Sequence, residues 1–496
     1  MPALEPPTVE PHDTDPGAAS LAGAPVPGEP APPVPTPGFW ASVREALAGS
    51  EQDFTVGPLG RAILLLAVPM VLEMAMESVF AVTDAFFVSR LGADALATVG
   101  LTESMLALVY AVAMGLGVGA TALVARRTGE KDPEGAAHAG ATAVVIGLVL
   151  SLAFGALGAL FARPLLVLMG APAGVLATGL DYTRIMLGGE VSIILLFVAN
   201  AIFRGAGDPA IAMRTLWLAN GINIVLGPLL IFGPGPFPAL GVKGAAIATT
   251  IGRSTGALFA LWRLTRASSR VRLRRRHFAP DPAVVRGIAD VSGAAAVQSI
   301  VGTASWIGLV RVVATFGAPA LAAYTLATRA IVFAILPAFG MSNAAATLVG
   351  QALGAKDPDR AERAVWTTGH YNAVFLGVLE VVCLVGAPAI MGVFTRDPAV
   401  LALGATALRV MSGGFLLYAY GLVLTAAFNG AGDTRTPTVL NLLVFWAFEI
   451  PVAYVLAKPL GFGPLGVFLA IALAFSLLAV ASGVVFRRGG WKTRVV

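Results

Sequence analysis

From Arg61 onward the chain is a succession of twelve apolar stretches separated by short breaks rich in glycine, proline and charge. Each stretch is close to the roughly 20 residues that a helix needs to cross a bilayer core. The breaks lie near "RLGADA", "RRTGEKDPEG", "MGAPAG", "RGAGDP", "GPGPFPALGVK", "RASSRVRLRRRHFAPD", "FGAPA", "LGAKDPDRAER", "FTRDPA", "NGAGDTRTP" and "AKPLGFGP". Only 12% of the residues are charged, against about 25% in soluble domains. A chain of 496 residues with so little charge cannot dress a water-facing surface, so the expectation is an all-α polytopic membrane protein. A single cysteine, Cys383, excludes an intramolecular disulfide, and His12, His138, His277 and His370 show no metal-ligand spacing. A metalloenzyme is not expected.

The charges that remain are placed unevenly. Arg126, Arg127, Lys131, Arg204, the cluster over 263–276, Lys356, Arg360, Arg363 and Arg435 fall in the even-numbered breaks, and more bases fill "FRRGGWKTRVV". The odd breaks have at most one base each, such as Arg90, Lys243 and Arg396. The positive-inside rule then puts both termini of a multi-pass protein in the cytoplasm. On this reading "RVRLRRRHF" anchors the topology, and no nucleic acid partner is expected. Residues 1–38 are Pro/Ala/Gly-rich, without an apolar run or a basic start, and read as a disordered tail and not as a secretory signal. "FWASVREALAGS" (Phe39–Ser50) is open between an amphipathic surface helix and a loosely ordered linker.

Laid against itself so that Leu91 falls on Phe316, the sequence matches itself without a gap over a long stretch. "LGADALA" falls on "FGAPALA", "TALVARRTGEKDP" on "ATLVGQALGAKDP", "TRIMLGG" on "LRVMSGG", and "FRGAGD" on "FNGAGD". Two six-helix bundles follow, entering the membrane in the same direction, as in transporters built on parallel repeats. The expected organisation is a tail over 1–50, a first bundle over 51–265, a basic linker over 266–282, a second bundle over 283–486 and a basic tail over 487–496.

The same register exposes what the halves do not share. Glu73 maps to Gln298, Glu77 to Gly302, Asp84 to Leu309, Glu103 to Thr328 and Glu190 to Phe415, so these acids belong to the first half alone. Glu380 and Glu449 are the second half's own and form no cluster. A charge at the centre of a membrane helix costs roughly 2.5–3.5 kcal/mol, so such residues are expected to face partners or a water-filled cavity. Glu73, Glu77 and Asp84 fall within an arc of roughly 40° on the first span, a stripe toward the bundle interior. Asp84, Glu103, Asn223 and Thr249 each lie about 10–13 Å from the outer end of their helix and can meet. Pro69 is expected to bend the first span below them. Carboxylates gathered in a poorly hydrated cavity can take up a cation on one side and release it on the other. Simpler roles compete: Asp84 as an end cap or partner of Arg90, Glu103 as an interface residue, Glu73 and Glu190 as buried structural acids. Glu190, Asn220, Gln298 and Tyr418 are candidates for lining a substrate cavity.

Over almost all of Arg61–Phe486 the chain resembles the multidrug and toxic compound extrusion (MATE) transporters, closer to the bacterial DinF-like branch. The residues that carry the resemblance are an early Pro in the first span, "TDAFFVSRLGADALATVG", "AMGLGVGATALVARRTGEKD", "FRGAGDP" with its echo "FNGAGDT", and "LGVKGAAIAT". The resemblance implies a V of two bundles that alternates between outward- and inward-facing states. It implies a monomer that exports amphipathic, often cationic small molecules by inward flow of H+ or Na+, with no cofactor beyond the coupling ion. It also makes Asp84 the coupling residue, with Asn223 its fifth-span partner and Thr249 the sixth-span Thr. This chain departs from the branch at Gly227, where the branch has an Asp, and Glu77 with Glu73 or Glu103 is the expected substitute for that charge. The seventh span has no acid and the tenth-span position falls near Tyr418, so no second-bundle cation site is expected on the pattern of the NorM-like branch.

A lipid-linked oligosaccharide flippase of the same superfamily is the alternative. It would need a cationic cavity, and the bases in view within the spans are Arg184, Arg311 and Arg329. An intramembrane enzyme would need a nucleophile–base pair, which the sequence lacks, and no Walker-type glycine loop is present. A passive channel differs from an antiporter in that its flux survives loss of the ion gradient.

Overall fold

The computed structural model describes residues 38–50 and 52–494, so most of the expected N-terminal tail, residues 1–37, lies outside the described residues. Every regular element among the described residues is helical. α1 is Phe39–Ala48. The first half continues as α2 Leu59–Ser89, α3 Ala93–Gly129, α4 Pro133–Leu160, the short α5 Ala162–Leu168, α6 Ala173–Gly188, α7 Glu190–Gly205, α8 Pro209–Phe232 and α9 Gly241–Thr265. The second half is α10 Pro282–Ala314, α11 Ala318–Gly354, α12 Pro358–Phe394, α13 Pro398–Ser412, α14 Phe415–Gly430, α15 Arg435–Asn441, α16 Ile450–Ala457 and α17 Pro464–Arg487. A π-helical stretch, Leu442–Glu449, joins α15 to α16 into one span.

Among the described residues ten spans are long and apolar enough to cross a membrane, and α13 with α14, bent by 55°, makes an eleventh. The twelfth is α9, 25 residues long, whose Arg253 and several Gly and Thr residues hold its hydropathy down. The fourth and tenth spans are both interrupted, at Gly189 and at Gly413–Gly414, positions that the repeat register superposes. α2 runs through Pro69 without a break.

Asp-Pro pairs set where many of these helices start. The Asp caps while the Pro, which has no N–H to leave unsatisfied, occupies the first helical position. Asp132, Asp281, Asp357 and Asp397 each accept a backbone N–H of their own helix at 2.8 Å. The residue before Asp132 and the residue before Asp357 are lysines with φ of 61°, a left-handed turn repeated in both halves.

Two hydrophobic cores correspond to the halves, but not cleanly. Ile288 and Val291, early in α10, join the first core, while Leu309 and Val313, near its end, join the second. The first half of α2 (Ala62, Ile63, Leu66, Met70) packs with Ala344 and Leu348 of α11 and Ala364 of α12. The halves therefore interlock at the end that carries the basic loops. Gly129 and Gly354, one repeat apart, allow it: a Cβ on Gly129 would lie 2.0 Å from the Gln351 carbonyl oxygen, and one on Gly354 would lie 2.2 Å from that of Arg126. Hydrogen bonds reinforce the same seam. Gln351 Nε2 donates to the Gly205 carbonyl at 2.9 Å and Thr347 Oγ1 to that of Arg204 at 3.2 Å. Arg360 donates to the carbonyls of Phe54, Val56 and Gly57, fastening the segment before α2 to the second half.

α1 docks on this end through Glu45–Arg61 at 2.7 Å and through Arg214, which donates to the Leu47 and Ala48 carbonyls. Its Phe39 and Trp40 stay exposed.

Candidate functional site

The acidic stripe of α2 does face the interior of the first bundle, and there the structure divides it. Glu73 is buried, and its Oε1 accepts from Arg204 Nη1 of α7 at 2.8 Å and from Asn200 Nδ2 at 3.2 Å. Glu77, one turn further along, accepts from Asn220 Nδ2 of α8 at 3.0 Å and from Arg253 Nη2 of α9 at 3.3 Å. Asp84, two turns beyond, is half-buried and makes no hydrogen bond or ion pair among the described residues; Glu103 and Arg253 lie within its electrostatic reach. Of the three carboxylates, two are committed to arginines and one is uncommitted.

Arg253 is the residue that sequence reasoning missed. It is 4% exposed, and its guanidinium lies 5.4 Å from the Phe80 ring centroid and 5.8 Å from that of Tyr110. Aromatic faces stabilise a desolvated guanidinium, and Glu77 balances its charge. Even so, Nε and Nη1 are buried and unpartnered among the described residues. The bases named from the sequence are placed otherwise: Arg184, Arg311 and Arg329 are all exposed. A signal existed. In the repeat register Arg253 falls on Leu478 and Arg204 on Asn429, so both bases are as particular to the first half as the acids they hold.

Asn223 and Thr249 come together as the sequence reading has it, with Asn223 Nδ2 donating to Thr249 Oγ1 at 2.7 Å in a buried pair. Neither bonds Asp84 directly. Gly227 leaves room beside them, since a Cβ there would meet only Phe87 and the Asn223 Oδ1, at 3.9 and 4.0 Å. Glu77 is not a spare charge for this gap, because Arg253 neutralises it, and Glu73 is bound to Arg204. Glu103 is exposed on α3 and within electrostatic reach of Arg329 of α11, in the other half. The suggested Asp84–Arg90 contact is replaced by Arg90 stacking on Phe86 at 4.4 Å.

The candidate cavity residues have different immediate partners. Asn220 belongs to the Glu77–Arg253 cluster. Glu190, 1% exposed, begins α7 with one carboxylate oxygen unpartnered among the described residues. Gln298 is half-buried on α10, and Tyr418 is stacked on Phe475 inside the second bundle, centroids 4.0 Å apart. Glu380 has a local role, accepting from the Leu416 N–H at 3.1 Å and so capping the second piece of the broken tenth span.

The arrangement is a buried polar site with a partly accessible free carboxylate, set between helices that close against the other half at one end. The profile of the MatE family matches residues 69–229 and 294–455, one match in each half. The chain is 27% identical over 423 residues to "Probable multidrug resistance protein YoeA" of Bacillus subtilis, covering 84% of this chain and 91% of that protein. It is also 27% identical over 403 residues to "FAD transporter" of Shewanella oneidensis, covering 80% of this chain and 88% of that one. The structure titled "Outward-facing conformation of a multidrug resistance MATE family transporter of the MOP superfamily" superposes with a TM-score of 0.84 at 26% identity, over 89% of this chain and 98% of that one.

Proposed function

The chain belongs to the MatE family, a family of membrane transporters and not of enzymes, and from that premise we propose that it is a secondary antiporter exporting amphipathic, cationic small molecules. Inward flow of H+ or Na+ drives the export, with Asp84 as the exchanging carboxylate and the basic-loop end, both termini included, in the cytoplasm. The protein works as a monomer in the inner membrane and uses no cofactor beyond the coupling ion. The single observation that carries this reading is the state of Asp84: alone in its stripe, it faces partly accessible space without a fixed partner. Its neighbours complete the device. Asn223 and Thr249 supply polar groups on α8 and α9, which pack against α2, and the Glu77–Arg253 pair holds α2 to α9 with no net charge. The seam closed by Gly129 and Gly354 at the basic-loop end supports an outward-facing state, as does the outward-facing relative.

Dye efflux from right-side-out vesicles under an imposed pH or sodium gradient, one at a time, tests the reading. Asp84→Asn is expected to abolish efflux under the gradient that drives the wild type. Unchanged efflux in Asp84→Asn ends the assignment, and efflux that ignores both gradients ends the antiporter. A second reading has one observation in its favour: the unpartnered Nε and Nη1 of Arg253 suit an anionic group on the transported molecule, and one relative carries the name FAD transporter. Competition by an anionic dye that fails in Arg253→Gln would favour it. The flippase alternative requires a cavity lined by several unpaired bases, whereas Arg204 and Arg253 of the first bundle are each paired with a carboxylate.

A further inference from the structure

The second half lacks a carboxylate at each position where the first half has its five, yet it buries one elsewhere. Glu449 is 3% exposed, in the eleventh span. In the repeat register it falls on Ile224, next to Asn223, so it stands at the level of the first half's Asn223–Thr249 pair. It ends the π-helical stretch Leu442–Glu449. Such stretches inside α-helices are rare, lose hydrogen-bond geometry and gather at functional sites. Among the described residues Glu449 has no hydrogen bond or ion pair.

Two phenols lie within its electrostatic reach, Tyr324 of α11 and Tyr418 of α14. Tyr418 is held by its stacking on Phe475, while the Tyr324 hydroxyl is buried next to that of Thr328, one turn along. On the neighbouring helices Arg286 and Asp290 lie early in α10, where the sequence reading expected a seventh span without an acid, Arg311 lies near its end, Lys458 follows α16, Arg487 ends α17, and Arg329, well inside α11, is exposed. An ionisable group left unpaired inside a membrane is costly and marks ion pathways and proton relays. A metal cation would need a cage of several oxygens; one buried carboxylate with two phenols in its electrostatic reach offers instead a place for a proton. A protonated Glu449 can donate to a phenol oxygen, and an ionised one can accept from the phenol O–H groups.

We propose that Glu449 is a second proton-carrying group, in the second bundle, with the Tyr324 and Tyr418 hydroxyls as its hydrogen-bonding companions. The step is proton transfer alone: an O–H bond forms on the carboxylate from water on one side of the membrane and breaks to water on the other. It deepens the antiporter reading and rests on it.

Infrared difference spectra of the purified protein through a pH titration test the site without any substrate. A carboxyl C=O band is expected to titrate in the wild type and in Asp84→Asn, to vanish in Glu449→Gln and to return in Glu449→Asp, which guards against a folding defect. In right-side-out vesicles carrying ethidium, Glu449→Gln is expected to lose efflux driven by a pH gradient and Glu449→Asp to keep part of it. A band that survives in Glu449→Gln overturns the proposal, as does undiminished pH-driven efflux in that variant. The antiporter reading itself fails on the wild type, if neither gradient drives ethidium efflux, so the two failures are told apart.

Discussion

The two halves share a scaffold and differ in what they bury in it. Both have the left-handed Lys-Asp-Pro turn, an interrupted fourth span and a seam glycine, each at equivalent positions of the repeat. Only the first half has Arg204 and Arg253, each locked to an acid of α2, and only the second buries an unpaired carboxylate on a π-helical stretch. The shared devices set backbone direction and close packing. The unshared ones are charges, each expensive inside a membrane unless held. The comparison thus separates scaffold from site, and it can be broken by exchanging residues between repeat positions.

The largest effect is expected at Arg204. Replacing it with Met leaves Glu73, 2% exposed, without its cation, and removing one partner of a buried pair costs about 3–5 kcal/mol. Arg204→Met is therefore expected to lower the melting temperature of the purified protein sharply, and Glu73→Gln/Arg204→Met to recover most of the loss. The repeat mate supplies the control, since Asn429→Met removes no charge and is expected to cost far less. Equal losses at Arg204 and Asn429 would erase the asymmetry.

Arg253→Leu, which installs the residue of its mate Leu478, comes next. Glu77 retains 27% exposure, so water softens the loss, and about 2 kcal/mol is expected, below the fully buried range. Glu77→Gln/Arg253→Leu is expected to fold like the wild type. Its dye efflux reads the function separately: if the pair only braces the bundle, the double variant pumps normally under the gradient that drives the wild type.

The seam sharpens the comparison from the other side, because there the halves are expected to behave alike. Gly129→Ala and Gly354→Ala each push a Cβ into backbone of the opposite half, and overpacking of this kind costs about 1–3 kcal/mol. Both are expected to lower the melting temperature by similar amounts. A large effect at one and none at the other would show that the interlock is not two-fold.

Much of this scaffold was legible in the sequence. Span number, repeat register and the acidic stripe all follow from periodicity, which a self-alignment or a helical wheel reads directly. Depth allowed the Asn223–Thr249 contact, and the family resemblance singled the two residues out. What stayed hidden was pairing. Arg204 looked like one more loop base and Arg253 like an oddity in α9, because a lone base does not declare its partner, and Glu73 and Glu77 then looked free when they are not. The π-helical stretch was invisible as well: it changes hydrogen-bond spacing without changing hydropathy, so Glu449 read as an isolated acid.

The smallest effect tests the most symmetric feature, the lysines with φ of 61°. A left-handed residue other than glycine costs about 1–2 kcal/mol, and glycine repays part of that through its freer unfolded chain, about 0.5–1 kcal/mol. Lys356→Gly is expected to stabilise by a few tenths of a kcal/mol, which is the balance of those two terms. Lys131→Gly is expected to gain less, because Lys131 also pairs with Asp53. Burial alone would raise the Asp53 pKa, but the Lys131 and Thr55 hydrogen bonds overcome it and bring it from 3.8 to about 2. Since the folded-state value is the lower one, the stabilisation from Asp53 is complete above the unfolded value and fades as pH falls toward 2. The gap between the two glycine variants in melting temperature is therefore expected to be present at neutral pH and to shrink between pH 4 and pH 2 as the Asp53 carboxylate takes up its proton. A gap that persists unchanged at the acid end would assign the difference to the turns themselves and not to Asp53, and the lysine turns would no longer count as equivalent.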